Sequence, residues 1–257
     1  MFARFLRYKD IVWFRALAGL KAETRQNYLG YLWFLLEPAL NSLTLYLIFG
    51  VLQKRQGLDY ITLLLIGTTT WQWFDSGINS SLPSIKAKIG VLNCYNLPKY
   101  IFPIVQIIVT TIKFLFAFGI VLVFCSFAHH PPTWMWAWLP LIFAAQLLVV
   151  VGLALPLTLL ATRVNDATLV IAAVLRILFF ISGVFFAAQS VPENLRLAFY
   201  ANPIASLMES YRLVIIYDAP PDLLHLGWAA VFGACACMIG LWLCIRIDKS
   251  ILKSIAV

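Results

Sequence analysis

Charge is what this sequence has least of: Asp, Glu, Lys and Arg make up 12% of its 257 residues, about half the share found in an average soluble domain. Hydrophobic residues make up 62%, and the mean hydropathy is +0.89. The apolar residues gather in runs of about twenty, which is the length that crosses a hydrocarbon core about 30 Å thick. This pattern excludes a soluble domain and predicts a polytopic membrane protein, whose helices satisfy their own backbone hydrogen bonds in lipid.

Catalytic and metal-binding motifs are also missing. The sequence has no GxxxxGKS/T phosphate loop, so the chain is not expected to bind and hydrolyse ATP by itself, and it has no GxSxG or HExxH motif. Four of its five cysteines, Cys125, Cys235, Cys237 and Cys244, lie in apolar runs, where cysteine behaves as a small hydrophobe. We therefore predict no disulfide framework, metal site or bound cofactor. A secretory signal is not expected either, because basic residues interrupt the N-terminal apolar positions.

Long apolar runs are abundant, and they lie at residues 30–51, 60–82, 101–127, 134–162, 167–188 and 223–246. A further stretch, 190–217, is semi-apolar, contains four charged residues and is interrupted by Pro192 and Pro203. Cytoplasmic loops are enriched in Lys and Arg, and with six spans thirteen of the nineteen basic residues lie inside and four outside. A seventh span would place the basic C-terminus outside. We therefore predict six spans, both termini in the cytoplasm, and a re-entrant pair of short outer helices in 190–217, broken near Asn202-Pro203.

The N-terminal residues 2–20 predict an amphipathic helix. Its apolar positions recur at helical spacing and are Phe2, Phe5, Leu6, Val12, Trp13, Ala16, Leu17 and Leu20. Arg4, Arg7 and Arg15 lie mostly off that face. A basic helix with Trp and Phe on its apolar side is typical of the membrane interface, and the alternative is an ordinary helix packed on the bundle.

Ionisable and aromatic residues inside the spans indicate a possible path for a substrate. Glu37, Asp75, Lys113 and Arg176 all lie within spans, where charges normally face a bundle interior or an aqueous path. They predict either a hydrated conduit or structural pairing between helices, for example of Asp75 with Lys113. Six aromatic residues also lie inside the spans, and facing a pore they would stack on sugar rings with little sequence specificity; they are Trp33, Phe34, Tyr46, Phe179, Phe180 and Phe185.

The inner loop 84–100, SIKAKIGVLNCYNLPKY, combines basic residues with an exposed apolar element. It suits docking to a cytoplasmic partner, and the alternative is a short interfacial helix without one. Five segments then occur in a recognisable order: LGYLWFLLEP at 29–38, IGTTTWQWF at 66–74, GVLNCYNLPKYIFP at 90–103, FFISGVFF at 179–186 and NPIASLMESYR at 202–212. Together they resemble the membrane subunits of ABC-2 type exporters, and among these the polysaccharide exporters of capsule and O-antigen type.

The resemblance implies an all-α integral membrane domain over 1–257. It would consist of an interface helix at 1–27, spans one to five within 30–188, outer gate helices at 190–217 and span six at 223–246. The chain would be a non-enzymatic permease subunit in the bacterial inner membrane that exports a lipid-linked polysaccharide. It would form a homodimer above two copies of a cytoplasmic ATPase subunit, which would bind the ATP and Mg. Membrane lipids and periplasmic export components are further expected partners, and nucleic acid is not.

The resemblance also implies residue roles. The channel would be lined by Trp33, Phe34, Tyr46, Arg176, Phe179, Phe180 and Phe185. The outer gate would contain Asn202, Pro203, Glu209 and Arg212. Coupling to the ATPase would involve Lys86, Lys88, Leu92, Asn93 and Tyr95, and the lipid anchor would meet Arg4, Arg7, Arg15 and Arg25.

Three alternatives compete with this function. An exporter of small lipids or drugs would share the fold without needing so wide a pore. A membrane-embedded enzyme acting on lipid-linked sugars would need acid and base carboxylates near the interface, and only Glu37 and Asp75 are candidates. A passive channel is disfavoured by the loop at 84–100.

Overall fold

The computed structural model describes residues 2–26, 30–51, 57–88, 98–128 and 130–247, and within these ranges the regular structure is helical. The α-helices are α1 (Phe2–Gln26), α2 (Trp33–Leu45), α3 (Leu58–Ser81), α4 (Ile101–Phe127), α5 (Leu139–Arg163), α6 (Ala167–Ile181), α7 (Glu193–Ala201), α8 (Pro203–Ile215) and α9 (Leu223–Ile247). A 3-10 turn at Gly30–Leu32 precedes α2, and a π-helical turn at Tyr46–Val51 follows it. Shorter 3-10 turns lie at Lys86–Lys88, Trp134–Trp138 and Ala188–Ser190.

Each predicted apolar run contains a helix, but the helices differ in how well they suit a membrane. Three of them in the described part are long and apolar enough to cross one, at Ile101–Phe127, Trp134–Arg163 and Leu223–Arg246. The apolar helix α6 has 15 residues and would span only about 22 Å, and α3 carries several polar residues on its 24. The six-span topology therefore stays a prediction.

The fifth predicted span ends earlier than its hydropathy indicates. The apolar run was predicted to continue to residue 188, whereas α6 ends at Ile181. Gly183 follows with a φ of +75°, a left-handed conformation that glycine adopts without the steric penalty of a Cβ atom. Residues 182–187 therefore form an irregular segment, which we call the post-α6 loop.

The N-terminal helix α1 packs on the base of α4. Val12, Ala16 and Leu20 share one face at four-residue spacing and are buried in a cluster with Ile101 and Val105. A neighbouring face leaves its apolar side chains exposed, namely Trp13, Phe14 and Leu17. Both interpretations of this helix are thus compatible with the structure, since one stripe contacts the bundle and the next is free to face lipid.

The bundle core is centred on α3, α4, α5 and α8. The Trp73 ring is stacked between Phe114 and Phe143, with centroid distances of 4.3 and 4.8 Å, and the Trp73 indole N–H donates to Thr111 Oγ1 at 3.2 Å. The most enclosed helix is α8, which is buried at nearly every position from Ile204 to Ile215. The second helix of the predicted outer pair, α8, is therefore part of the bundle core.

Candidate functional site

Polar side chains gather around two adjoining cavities beside α2. The first cavity, about 390 Å³ in volume, lies between α2, α3 and α4, and the second, about 500 Å³, lies between α2, α3 and α6. Glu37, Gln72 and Asp75 line both. The two cavities therefore flank one strip of polar residues formed by α2 and α3.

All four of the predicted intramembrane charges reach this region. Lys113 lines the first cavity, where its Nζ lies 5.0 Å from the centroid of the Phe34 ring, within the range of a cation–π contact. Arg176 lines the second cavity together with Glu37 and Asp75. Asp75 Oδ1 accepts a hydrogen bond from Asn79 Nδ2 at 3.0 Å. Charges of both signs are therefore clustered where α2, α3, α4 and α6 meet.

The predicted channel aromatics divide between the cavities and an aromatic cluster. Trp33 and Phe34 line the first cavity, and Phe179 lines the second. Phe185 stacks on Phe49, with ring centroids 4.5 Å apart, and contacts Phe179 and Phe180 edge-on or tilted. Tyr46 also belongs to this region, because its ring lies 6.4 Å from that of Tyr60. Trp33 and Phe180 are exposed, and the other predicted aromatics are half-buried.

The residues predicted to form an outer gate bind the post-α6 loop. Arg212 is fully buried and donates from Nη2 to the Val184 carbonyl at 2.8 Å and from Nη1 to the Phe186 carbonyl at 2.7 Å. The Tyr60 hydroxyl donates to the intervening Phe185 carbonyl at 3.2 Å. Three successive carbonyls outside any helix are therefore each satisfied by a side chain, as non-helical backbone away from water requires.

Glu209 and Asn202 complete this attachment. Glu209 Oε2 accepts from the backbone N–H of Ala188 at 3.3 Å and lies 3.8 Å from Arg212 Nη1. Asn202 Nδ2 donates to Ser182 Oγ at 2.8 Å, while Asn202 Oδ1 accepts from the Ile204 N–H and caps α8. The Asn and Arg ends of the NPIASLMESYR segment thus fasten the post-α6 loop to α8. Pro203 follows at the first position of α8, where proline is well tolerated.

Sequence reasoning missed two residues of this attachment, Tyr60 and Gly67. A Cβ atom at Gly67 would overlap the Val184 carbonyl oxygen and would lie 3.0 Å from Arg212 Nη2. Glycine is therefore needed where α3 passes the loop. Its place in the segment IGTTTWQWF was a signal, but nothing local to the sequence identifies the loop as its neighbour.

The predicted coupling and anchor residues are only partly described. Lys86 Nζ donates at 2.8 Å to Oδ1 of Asn165, which lies in the turn between α5 and α6. Lys88 is exposed. Leu92, Asn93 and Tyr95 lie outside the described residues. Arg15 is exposed on α1. Arg4, Arg7 and Arg25 also lie on α1, but their side chains fall outside the described part.

Known proteins match most of the chain. The ABC-2 type transporter family matches residues 16–216. The chain is 26% identical over 194 residues to the O-antigen export system permease protein RfbA of Klebsiella pneumoniae, which covers 75% of each chain. It is also 26% identical over 230 residues to the polysialic acid transport protein KpsM of Escherichia coli, which covers 88% of this chain and 89% of the relative. The resemblance drawn from the five segments is confirmed, and the chain belongs to the ABC-2 type transporter family.

Proposed function

We propose that this chain is the membrane permease subunit of an ABC exporter that moves a lipid-linked polysaccharide across the bacterial inner membrane. The observation that carries the proposal is the similarity, over three quarters or more of the chain, to proteins named for export of O-antigen and transport of polysialic acid. The polar and aromatic lining beside α2 supports it, because a glycan needs both hydrogen-bonding groups and ring faces.

The topology proposed is six spans with both termini in the cytoplasm. The basic residues favour this orientation, and a helix occupies each of the six predicted runs. The pair α7 and α8 would then lie on the outer side, between spans five and six. Its charges suit that placement, because Arg212 binds two carbonyls of the post-α6 loop and Glu209 binds the N–H of Ala188, the residue that follows the loop.

The partners proposed are a second copy of this chain and two ATPase subunits. A six-helix bundle is too small to enclose a pore for a sugar polymer, so two copies would border it together. Members of this family work with a separate ATPase, which would bind ATP and Mg, and this chain would bind no cofactor. The inner segment containing Lys86 and Lys88 would dock on that ATPase.

The Lys86–Asn165 hydrogen bond would carry movement from the ATPase-facing inner segment to α6. Movement of the inner segment would pull on the turn between α5 and α6, and Asn165 lies two residues before α6 begins. The helix α6 lines the second cavity through Arg176 and Phe179. ATP-driven closure would therefore shift one wall of the proposed path, and the polymer would advance along the aromatic residues.

The anchor of the polysaccharide would enter from the inner leaflet near α1. Arg176 and the arginines of α1 would bind its phosphate groups, since the planar guanidinium recognises phosphate through two parallel hydrogen bonds. Asn202, Pro203, Glu209 and Arg212 would act at the outer exit through the post-α6 loop, which they hold in place.

Surface polysaccharide in a strain that lacks both this gene and the neighbouring ATPase gene tests the proposal. The strain would be complemented with this chain alone, with the neighbouring ATPase gene alone, and with both. Loss of surface glycan with accumulation inside the cell, rescued only by both genes, is the expected result. Normal surface glycan in the deletion strain, with no redundant transporter, would contradict it and move the substrate to small lipids or drugs.

A further inference from the structure

A cavity whose charged lining residues are all cationic lies at the end of the bundle on which α1 packs. Its volume is about 520 Å³, and it lies where α1, the inner segment at 84–88 and the first turns of α4 meet. Its lining residues are Arg15, Ala18, Gly19, Ser84, Lys88, Phe102, Val105, Gln106 and Val109. Two of these are cationic and none is acidic. The cavity is separate from the two beside α2, with which it shares no lining residue.

Ser84 gives this cavity an unsatisfied polar atom. The residue is 5% exposed, and its Oγ has no hydrogen-bond partner within the described part of the chain. Burial of a hydroxyl without a partner is unfavourable, so a ligand atom in the cavity would relieve it. The neighbouring Gln106 side chain adds an amide that is able to donate.

The two cations are available to a ligand. Arg15 comes from α1 and Lys88 from the inner segment, and neither makes an ion pair with any residue that the structure describes. A guanidinium forms paired hydrogen bonds to phosphate oxygens, and an ammonium adds a compact charge. The Ser84 hydroxyl, which lines the same cavity, completes a set of donors suited to an anion with several oxygens.

We propose that this cavity binds the phosphate group of an anionic lipid in the inner leaflet. The apolar wall formed by Phe102, Val105 and Val109 lies on α4, where a lipid chain would continue from the phosphate into the membrane. The inference rests on the proposed topology, which puts this end of α4 at the cytoplasmic surface. The lipid would be either a membrane phospholipid or the phosphate-bearing anchor of the exported substrate.

Such a ligand would join two elements with different roles. Arg15 lies on the helix that packs on α4 through Val12 and Ala16, and Lys88 lies on the segment proposed to meet the ATPase. A bound phosphate would hold them together. Arrival of the lipid would therefore be sensed at the coupling segment.

Lipid binding to the purified full-length chain tests this site. The probes are dioleoyl phosphatidylglycerol, a polyprenyl pyrophosphate, inorganic pyrophosphate and, as the zwitterionic reference, dioleoyl phosphatidylcholine. Removing both cations by Arg15→Ala with Lys88→Ala is expected to weaken binding of the anionic lipids about tenfold or more, since hydrogen bonds to charged groups are the stronger ones. The matched control, Lys9→Ala with Arg163→Ala, removes two exposed charges outside the cavity and is expected to change the dissociation constant by less than about twofold.

Ser84→Ala gives an independent test without a change of charge. It is expected to weaken binding of the anionic lipids about tenfold, as the loss of one hydrogen bond to a charged group implies, while the melting temperature of the unliganded protein stays the same or rises. Equal binding by the wild type, the double variant and Ser84→Ala would overturn the site.

The probes separate the two sources of phosphate. Tighter binding of polyprenyl pyrophosphate than of phosphatidylglycerol would assign the site to the substrate anchor, and equal binding would assign it to anionic lipid in general. Binding of inorganic pyrophosphate as tight as that of both lipids would overturn the role of the apolar wall. These measurements do not use the glycan, so failure of the export assay would leave them interpretable.

Discussion

The helix pair α5–α9 and the helix α2 are packed in opposite ways. In the pair, a Cβ atom at Gly152 would lie 2.6 Å from the Gly233 carbonyl oxygen, and one at Gly233 would lie 2.7 Å from the Val149 nitrogen. By contrast, α2 is flanked by cavities of about 390 and 500 Å³. It also leaves Leu40 and Leu43 exposed.

The difference separates a fixed part of the bundle from a part that is able to move. Small residues let two helix backbones approach closely in a membrane, where van der Waals packing is a main source of affinity between helices. Sliding one helix of such a pair along the other would bring backbone atoms into steric overlap. A helix beside polar cavities has fewer contacts to lose, so α2 and the adjoining wall of α6 are the elements that we expect to shift during export.

The largest effect is expected from filling the close contact between α5 and α9. Gly233→Leu would force α9 away from Leu148 and Val149 and is expected to destabilise the fold by about 3 kcal/mol or more, at the upper end for overpacking. Its control is Gly227→Leu on the same helix, where a Cβ would meet nothing within 4 Å. Thermal unfolding and the monodisperse fraction in detergent would report the change. Equal stability of the two variants would mean that the α5–α9 contact is not close.

An effect of similar size is expected at the attachment of the post-α6 loop. Arg212→Met would remove the donors to the Val184 and Phe186 carbonyls and leave Glu209 buried without its cation, for a loss of about 3–5 kcal/mol. Adding Glu209→Gln should recover part of that loss, because the uncompensated charge is removed.

The control for that attachment is Arg196→Met, which changes an exposed arginine whose nearest carboxylate, Glu193, lies 3.9 Å away and is itself exposed. It should change stability by less than about 1 kcal/mol. Unfolding temperatures of the two arginine variants would check the comparison, and a harmless Arg212→Met would show that the loop is held by its apolar contacts alone.

The sequence predicts best where one property decides the structure. The third predicted span, 101–127, coincides with α4 (Ile101–Phe127) because a long apolar run has no alternative within it. The break at Asn202-Pro203 was also correct, since Pro203 has no N–H to donate and Asn202 caps the next helix. Both features depend on residues close together in the chain.

Features that depend on distant residues could not be predicted. The post-α6 loop is apolar, so hydropathy alone does not distinguish it from the end of an apolar helix. Its irregular backbone is stabilised by Arg212, more than twenty residues away. The cavities beside α2 are lined by four helices, α2, α3, α4 and α6. The charged residues of these helices were identified from the sequence. Their grouping depends on how the helices pack, so it could not be predicted. Roles in export for the channel, gate and anchor residues stay predictions.

A smaller effect, on function alone, is expected from Arg176→Ala. Arg176 is exposed and lines the second cavity, so its removal should leave the fold and the assembly with the ATPase intact. Loss of a hydrogen bond to a charged substrate group should lower export about tenfold. The control, Arg163→Ala, changes an exposed arginine at the end of α5. Surface glycan and co-purification would be measured together, and unchanged export would remove Arg176 from the proposed path.

The smallest effect is expected from the contact between Phe34 and Lys113. Phe34→Leu removes the ring face that lies 5.0 Å from Lys113 Nζ and should lower stability by about 1 kcal/mol, the usual size of a cation–π contact. Phe34→Tyr keeps the ring face and should be close to neutral. A double-mutant cycle with Lys113→Met, followed by unfolding in detergent, would isolate the pairwise contribution. A loss as large as that of Gly233→Leu would contradict the comparison, because α2 would then be packed as tightly as the α5–α9 pair.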